Sequence, residues 1–233
     1  MNQEIVVELT DVTRIFGTGD KAVHALRGVS VQVCTGELVA VMGPSGSGKS
    51  SLLHVAGGLD TVTAGSVRVE GQDLAGMSDR KLAEVRRRHI GFVFQALNLV
   101  PSLTVLENVA LPMELDGMSI ADARQVAVAA LEEIELSSLG HRFPDELSGG
   151  QQQRVAIARA LTGERRLLLA DEPTGALDTE TGEAVMRVLR SKIDAGAAGI
   201  LVTHDARLAA WADRVIYLRD GAVIDATGNE VTA

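Results

Sequence analysis

Residues 37–51, ELVAVMGPSGSGKSS, limit the fold of this chain more than any other stretch. The first six are an almost unbroken apolar run, which marks a strand covered on both faces, and helical spacing resumes in KSSLLHVAGGL. Between them, Gly43 to Ser50 have the spacing G-x-x-x-x-G-K-S of a phosphate-binding loop. Such a loop needs a strand to enter it and a helix to leave it, so an α/β fold follows. Gly43, Gly46 and Gly48 let the backbone turn and bring N–H groups against phosphate oxygens, where the helix N-terminus adds its positive end. Lys49, one of only four lysines, supplies a point charge, and Ser50 offers a hydroxyl to a divalent cation. Pro44, Ser45, Ser47 and Ser51 complete the segment assigned to the nucleotide phosphates.

At 233 residues and 46% apolar content, the chain can bury the core of one large α/β domain. A net charge of −9 leaves no basic face for a nucleic-acid backbone, and the single basic run, Arg86-Arg87-Arg88-His89, reads as a solvated helix end. Cys34 is the only cysteine, so no internal disulfide can form; it reads as a small buried residue. His24, His54, His89 and His141 have no ligand spacing with one another or with Cys34, and no metal is assigned to them. The start MNQEIVVELT lacks the segments of a secretory signal. The apolar runs fall short of the roughly twenty residues that a spanning helix requires, so a membrane role needs another polypeptide rather than direct lipid insertion.

IVVELTDV and VSVQV read as strands of a mixed sheet in the first forty residues. RHIGFVFQ, RRLLLADE, AGILVTH and DRVIYLRDG add apolar strands, several separated by helical patterns, which predicts a mainly parallel sheet. Residues 96–160 turn helical, in LTVLENVALPMEL, ADARQVAVAALEEIEL and GGQQQRVAIARAL. Thr104 with Glu107 and Ser148 with Gln151 have capping-box spacing. The expectation is one unit, 1–233, with 1–95 and 161–233 forming the sheet lobe and 96–160 an inserted helical lobe.

The run LLLADE supplies acids where a strand ends. Asp171 suits the shell of a Mg²⁺ ion, and Glu172 suits a general base beside the terminal phosphate. LSGGQQQR, residues 147–154, is a second anion site, with two glycines behind a Ser cap at a helix N-terminus. One nucleotide held by the first loop has no evident use for a second site on the same chain.

Here the chain resembles the ATP-binding cassette family, in which LSGGQ is the signature motif; the resemblance spans essentially all residues and several motifs in order. It implies a P-loop fold with an N-terminal antiparallel β subdomain and a helical signature subdomain. It also implies ATP and Mg²⁺ as ligands. Phe16 stands where the family stacks an aromatic on adenine, usually Tyr, so the ring is kept and the hydroxyl is not. Gln95, ending GFVFQ, matches the glutamine that touches Mg²⁺ and the attacking water. Asp178 in GALD matches the loop that communicates across the dimer. His204 in LVTHD matches the histidine that contacts the terminal phosphate and holds Glu172. Leu147, Ser148, Gly149, Gly150 and Gln151 match the signature, which in the family closes over the ATP of a second, head-to-tail copy.

The wording of residues 91–119, 144–161 and 170–178 resembles the lipoprotein-release, macrolide-export and cell-division branch, and the chain end soon after residue 227 is unlike the sugar-importer type. The resemblance implies an ATPase at the cytoplasmic face of the membrane, bound through a separate permease docked near residues 96–106. There the apolar run LNLVPSL is expected to be exposed for that purpose or to serve as core of the insert. A soluble cassette in repair or cluster assembly, an amino-acid-type importer ATPase and an idle regulatory subunit are the other readings. Intact Lys49, Glu172 and His204 oppose the last.

Overall fold

The computed structural model describes residues 4–175 and 177–227. The ends of the expected unit, and Ala176 of the GALD motif, lie outside the described residues. In chain order, β1 (Ile5–Phe16) and β2 (Val23–Cys34) form a long hairpin, followed by β3 (Leu38–Met42) and α1 (Lys49–Ala56). Next come β4 (Ala64–Val69), β5 (Gln72–Asp73), α2 (Asp79–His89) and β6 (Ile90–Val93). The helices α3 (Val105–Leu115), α4 (Ile120–Glu133) and α5 (Gly149–Leu161) lead to β7 (Leu167–Asp171) and α6 (Thr179–Asp194). The last elements are β8 (Ala198–Val202), α7 (Ala206–Ala209), β9 (Arg214–Arg219) and β10 (Ala222–Ala226).

The larger sheet runs β10-β9-β3-β8-β7-β6, parallel except for the β9–β10 hairpin. Its central strands are apolar without alternation because both faces are covered. Leu167 and Leu169 of β7 join the core around α1, whereas Leu168 and Ala170 pack on the other face with α5 and α6. The first two strands form the expected N-terminal antiparallel β subdomain rather than part of a mixed sheet. They pair with each other and with β4 in a separate antiparallel sheet, β2-β1-β4-β5. Alternation leaves them one apolar face, and that face closes over α1, whose Leu52, Leu53 and Val55 lie in the same core as Val7, Leu9 and Val31. The helix after the phosphate loop is also shorter than KSSLLHVAGGL implies, with Gly57 as its C-cap. A Cβ there would press on Phe92 and Leu169, at 2.9 and 3.0 Å.

The helices α3, α4 and α5 enclose a cluster of their own, including Val105, Val109, Ala127, Leu131 and Val155. Both predicted capping boxes are present, at Thr104–Glu107 and at Ser148–Gln151. The basic run differs from a solvated helix end. Arg86 donates to the Gly58 carbonyl at 2.7 Å, and Arg87 and Arg88 both reach Asp116, at 3.0 and 2.8 Å. Three cations in the last turn of α2 thus tie it to its neighbours. No helix among the described residues is long and apolar enough to cross a membrane.

Candidate functional site

Parallel pairing sets the frame of the site. Val202 lies opposite Val41 on one side and Asp171 on the other, so β3, β8 and β7 end in one row. Val93 of β6 lies opposite Ala170, which places Gln95 just past the same edge. At about 4.8 Å per strand, the exits of β3 and β7 are roughly 10 Å apart. The loops carrying Gly43, His204, Glu172 and Gln95 therefore all leave the carboxyl edge of the sheet, where open α/β sheets bind ligands.

In the phosphate loop, Gly48 caps α1 with φ +104 and offers no side-chain cap, leaving the first-turn N–H groups for a ligand. A Cβ on Gly48 would run into the Ala25 carbonyl, and one on Gly43, at φ +147, into that of Leu218. These two positions thus demand glycine on space as well as on backbone angle. The Lys49 ammonium donates to the carbonyls of Gly43 and Pro44, at 2.8 and 2.9 Å, and so spans the loop it belongs to. Pro44, Ser45, Gly46 and Ser50 are exposed and Ser51 is half-buried. Ser47 is different: it is buried, and its Oγ has no hydrogen-bond partner among the described residues.

Asp171 ends β7 buried, and Glu172 follows at φ +48, a conformation that costs a non-glycine residue about 1 kcal/mol or more. The neighbours hold it there. Its N–H donates to the Val202 carbonyl at 3.0 Å, and its Oε1 accepts from the His204 N–H at 3.0 Å and meets His204 Nδ1 at 2.7 Å. Thr203 Oγ1 donates to Oε2 at 3.3 Å. Glu172 is 17% exposed and His204 79%, so the carboxylate sits behind an imidazole open to solvent. The hydrogen bond to Glu172, then the charge of that carboxylate, raise the His204 pKa, while the charge of Lys49 lowers it. Lys49, Glu172 and His204 thus share one electrostatic environment.

The signature forms a second centre on the helical lobe. The Ser148 hydroxyl accepts from the Gln151 N–H at 3.3 Å, and Gln151 Oε1 accepts from the Ser148 N–H at 2.9 Å. Ser148 and Gly149 are exposed and Gly150 is half-buried, whereas Leu147 is buried in the helical core and positions the segment from below. Asp178 caps α6, accepting from the Thr181 N–H at 2.9 Å and hydroxyl at 2.8 Å; the first of these bonds holds its carboxyl below the ordinary range. Phe16 ends β1 with 41% of its surface exposed.

Three contributors are not evident from motifs alone. Thr203 is buried and braces Glu172. Gln153 is 3% exposed and donates to the Pro173 carbonyl at 2.6 Å, joining the signature helix to the residue after Glu172. Arg159 on the same helix donates to the Asn98 and Leu97 carbonyls, at 2.7 and 2.8 Å, just beyond Gln95. One signal was available for Gln153: it shares the apolar stripe of Ala156, Ile157 and Ala160, a polar residue on a buried face. The LNLVPSL run is not an exposed strip. Leu99 packs on the helical core, and Asn108 pins the run by accepting from the Val100 N–H at 2.7 Å and donating to the Leu103 carbonyl at 3.0 Å. Asn98, Pro101 and Ser102 are its exposed members, and Ala96 just before it is exposed as well.

The oxygen set of Ser50, Asp171 and Gln95 fits Mg²⁺, a hard cation that keeps most of its waters and needs few protein ligands. No cluster of three or more His, Cys, Asp or Glu that would hold a metal unaided occurs among the described residues.

Comparison with known proteins identifies the family. A family model described as ABC transporter matches residues 26–175. An ABC transporter ATP-binding protein of Thermotoga maritima is 49% identical over 94% of this chain and 93% of its own length. The macrolide export ATP-binding/permease protein MacB of Shigella flexneri is 46% identical over 94% of this chain, but the match spans only 34% of that longer protein. Among solved structures, the ATP-binding cassette MJ0796, in a dimeric post-hydrolysis state bound to ADP and Pi, superposes with a TM-score of 0.90 at 42% identity, covering 97% of this chain and 99% of that one. With its phosphate loop, strand-end acids and capped signature helix in one fold, the chain belongs to the ABC transporter family.

Proposed function

We propose that the chain is the ATP-hydrolysing subunit of an export or mechanotransmission system, working as an ATP-dependent head-to-tail dimer that drives a separate membrane permease. The likeness to MacB, whose name joins ATP-binding and permease functions, supports the partner. The dimers of MJ0796 support the second copy. In this reading Phe16 and residues 43–51 hold ATP, and Lys49 exchanges its loop carbonyls for phosphate oxygens. Ser50, Asp171 and Gln95 would hold Mg²⁺, which neutralises charge on the phosphates. Glu172 accepts the proton of the attacking water, and His204 and Thr203 keep its carboxylate aimed. Ser148, Gly149, Gly150 and Gln151 close the ATP of the partner copy, with Asp178 at the junction.

One observation carries the mechanical part. Helix α5 begins at the signature and is bonded both to the loop after Glu172, through Gln153, and to the loop after Gln95, through Arg159. Residues 96–160 then move as a lobe when these loops move, and the exposed members of residues 96–106 pass that motion to the permease at the cytoplasmic face of the membrane. Co-purification with a candidate permease tests this. Pro101→Asp with Ser102→Arg should abolish co-purification while leaving ATP binding by the isolated chain unchanged. Undiminished co-purification would remove this stretch from the docking surface.

A further inference from the structure

Phe16 presents a ring without the hydroxyl that would give it a hydrogen-bonded orientation, yet the ring is not left unsupported. The Arg14 guanidinium lies over it, with Cζ 4.3 Å from the ring centroid. Arg14 is itself held by two contacts to one carboxylate: Nε to Asp60 Oδ2 at 2.8 Å and Nη2 to Asp60 Oδ1 at 2.7 Å. The pair is largely withdrawn from water, with side chains 19% and 21% exposed, whereas Phe16 remains 41% exposed. A fork-to-carboxylate pair fixes the plane of the guanidinium as well as its place. The cation therefore stays in place over one side of the ring.

The position of Asp60 adds a second consequence. It follows α1, the helix that opens with the phosphate loop, and its N–H still bonds back to the His54 carbonyl at 3.2 Å. The following residues fasten to β1: the Thr63 N–H donates to the Thr13 carbonyl at 2.7 Å, and the Ile15 N–H donates to Thr63 Oγ1 at 3.0 Å. One end of α1 thus opens from the phosphate loop, and the residues beyond its other end fasten to the strand that carries Phe16.

We propose that Arg14 and Asp60 are positioning residues for the nucleobase: Asp60 orients Arg14, and Arg14 backs the Phe16 ring so that its free face receives the purine at a set distance from the phosphate loop. This rests on the assignment of Phe16 as the adenine platform. A cation behind the ring draws electron density from the far face, which favours stacking of an electron-rich base, and it removes ring motion that binding would otherwise have to freeze. The contribution belongs to the base and not to the phosphates.

Calorimetric titration of the full chain with Mg-ATP and with Mg-tripolyphosphate, which has no base, tests the proposal. Arg14→Met should weaken ATP binding by about fivefold, a part of what one base–aromatic stack contributes. Tripolyphosphate affinity should be unchanged, which also reports an intact phosphate loop in the variant. Asp60→Asn should move ATP affinity in the same direction by less, and Arg14→Lys should fall between wild type and Arg14→Met. Equal weakening of both ligands would make the pair merely structural and overturn the proposal. Tighter ATP binding in Arg14→Met would place the guanidinium on the face the base needs and would overturn it as well. Phe16→Ala separates the role of the ring from that of the pair behind it. If it lowers the ATP-to-tripolyphosphate affinity ratio while Arg14→Met does not, only the role of the pair fails; if it leaves the ratio unchanged, the platform assignment fails and the pair with it.

Discussion

Replacing Gln153 with Leu removes one hydrogen bond and little volume. The side chain is 3% exposed and its amide donates to the Pro173 carbonyl at 2.6 Å, so the variant leaves a buried carbonyl without a donor. An acceptor stranded in this way costs about 1–3 kcal/mol. In a chain of this size each kcal/mol moves Tm by about 2–4 °C, so a fall of roughly 6 °C is expected in thermal unfolding. The catalytic consequence is separate. Pro173 follows Glu172, whose φ of +48 persists only while its surroundings enforce it. Loosening that loop by about 1.4 kcal/mol would lower kcat about tenfold. ATP affinity should be unchanged, because the phosphate loop leaves a different strand. An ATPase assay beside equilibrium nucleotide binding reads this split. A Tm within about 1 °C of wild type, with unchanged kcat, would show that the bond neither stabilises the fold nor holds the base.

Other outcomes follow from the same site. Glu172→Gln should keep ATP binding while steady-state hydrolysis falls by about a hundredfold or more, as for loss of a general base, whereas Lys49→Ala should weaken nucleotide binding itself. A Glu172→Gln chain that hydrolyses at the wild-type rate would remove that residue from the role of base. The raised pKa of His204 means that its imidazolium, paired with Glu172, is present below the ordinary value near 6.5 and is lost only as pH climbs through the raised one. The His204 imidazole resonances of the nucleotide-free chain should titrate above about 6.5 in the wild type and lower in Glu172→Gln, and identical midpoints would contradict the pairing.

Local patterns were legible in the sequence, and partnerships across the fold were not. The phosphate loop, the strand-end acids and both capping boxes each fit within a short window, so residue spacing alone places them. Alternation in β1 and β2 identifies strands but not the sheet they join, which is decided by which apolar face must cover α1. The LNLVPSL run carries the composition of either a docking strip or core, and the fold divides it: half-buried Leu99 packs on the helical core while Asn98, Pro101 and Ser102 stay exposed. Arg14 and Asp60 stand 46 residues apart and form no motif. Thr203 sits inside the LVTHD segment, but its hydroxyl acquires a role only once the pairing of β7 and β8 sets Glu172 opposite it.

The mechanism stands or falls on each chain holding half of each ATP site, with Lys49 on one copy and Ser148 on the other. Light scattering of the Glu172→Gln chain with saturating Mg-ATP reads this without any permease. A species of twice the 24.5 kDa chain mass is expected in ATP, and the single-chain mass without nucleotide. Adding Ser148→Glu to the same chain should return it to the single-chain mass in ATP while its phosphate loop still binds nucleotide with unchanged affinity. A dimer that survives Ser148→Glu, or a Glu172→Gln chain that stays at 24.5 kDa in saturating ATP, would contradict the shared site.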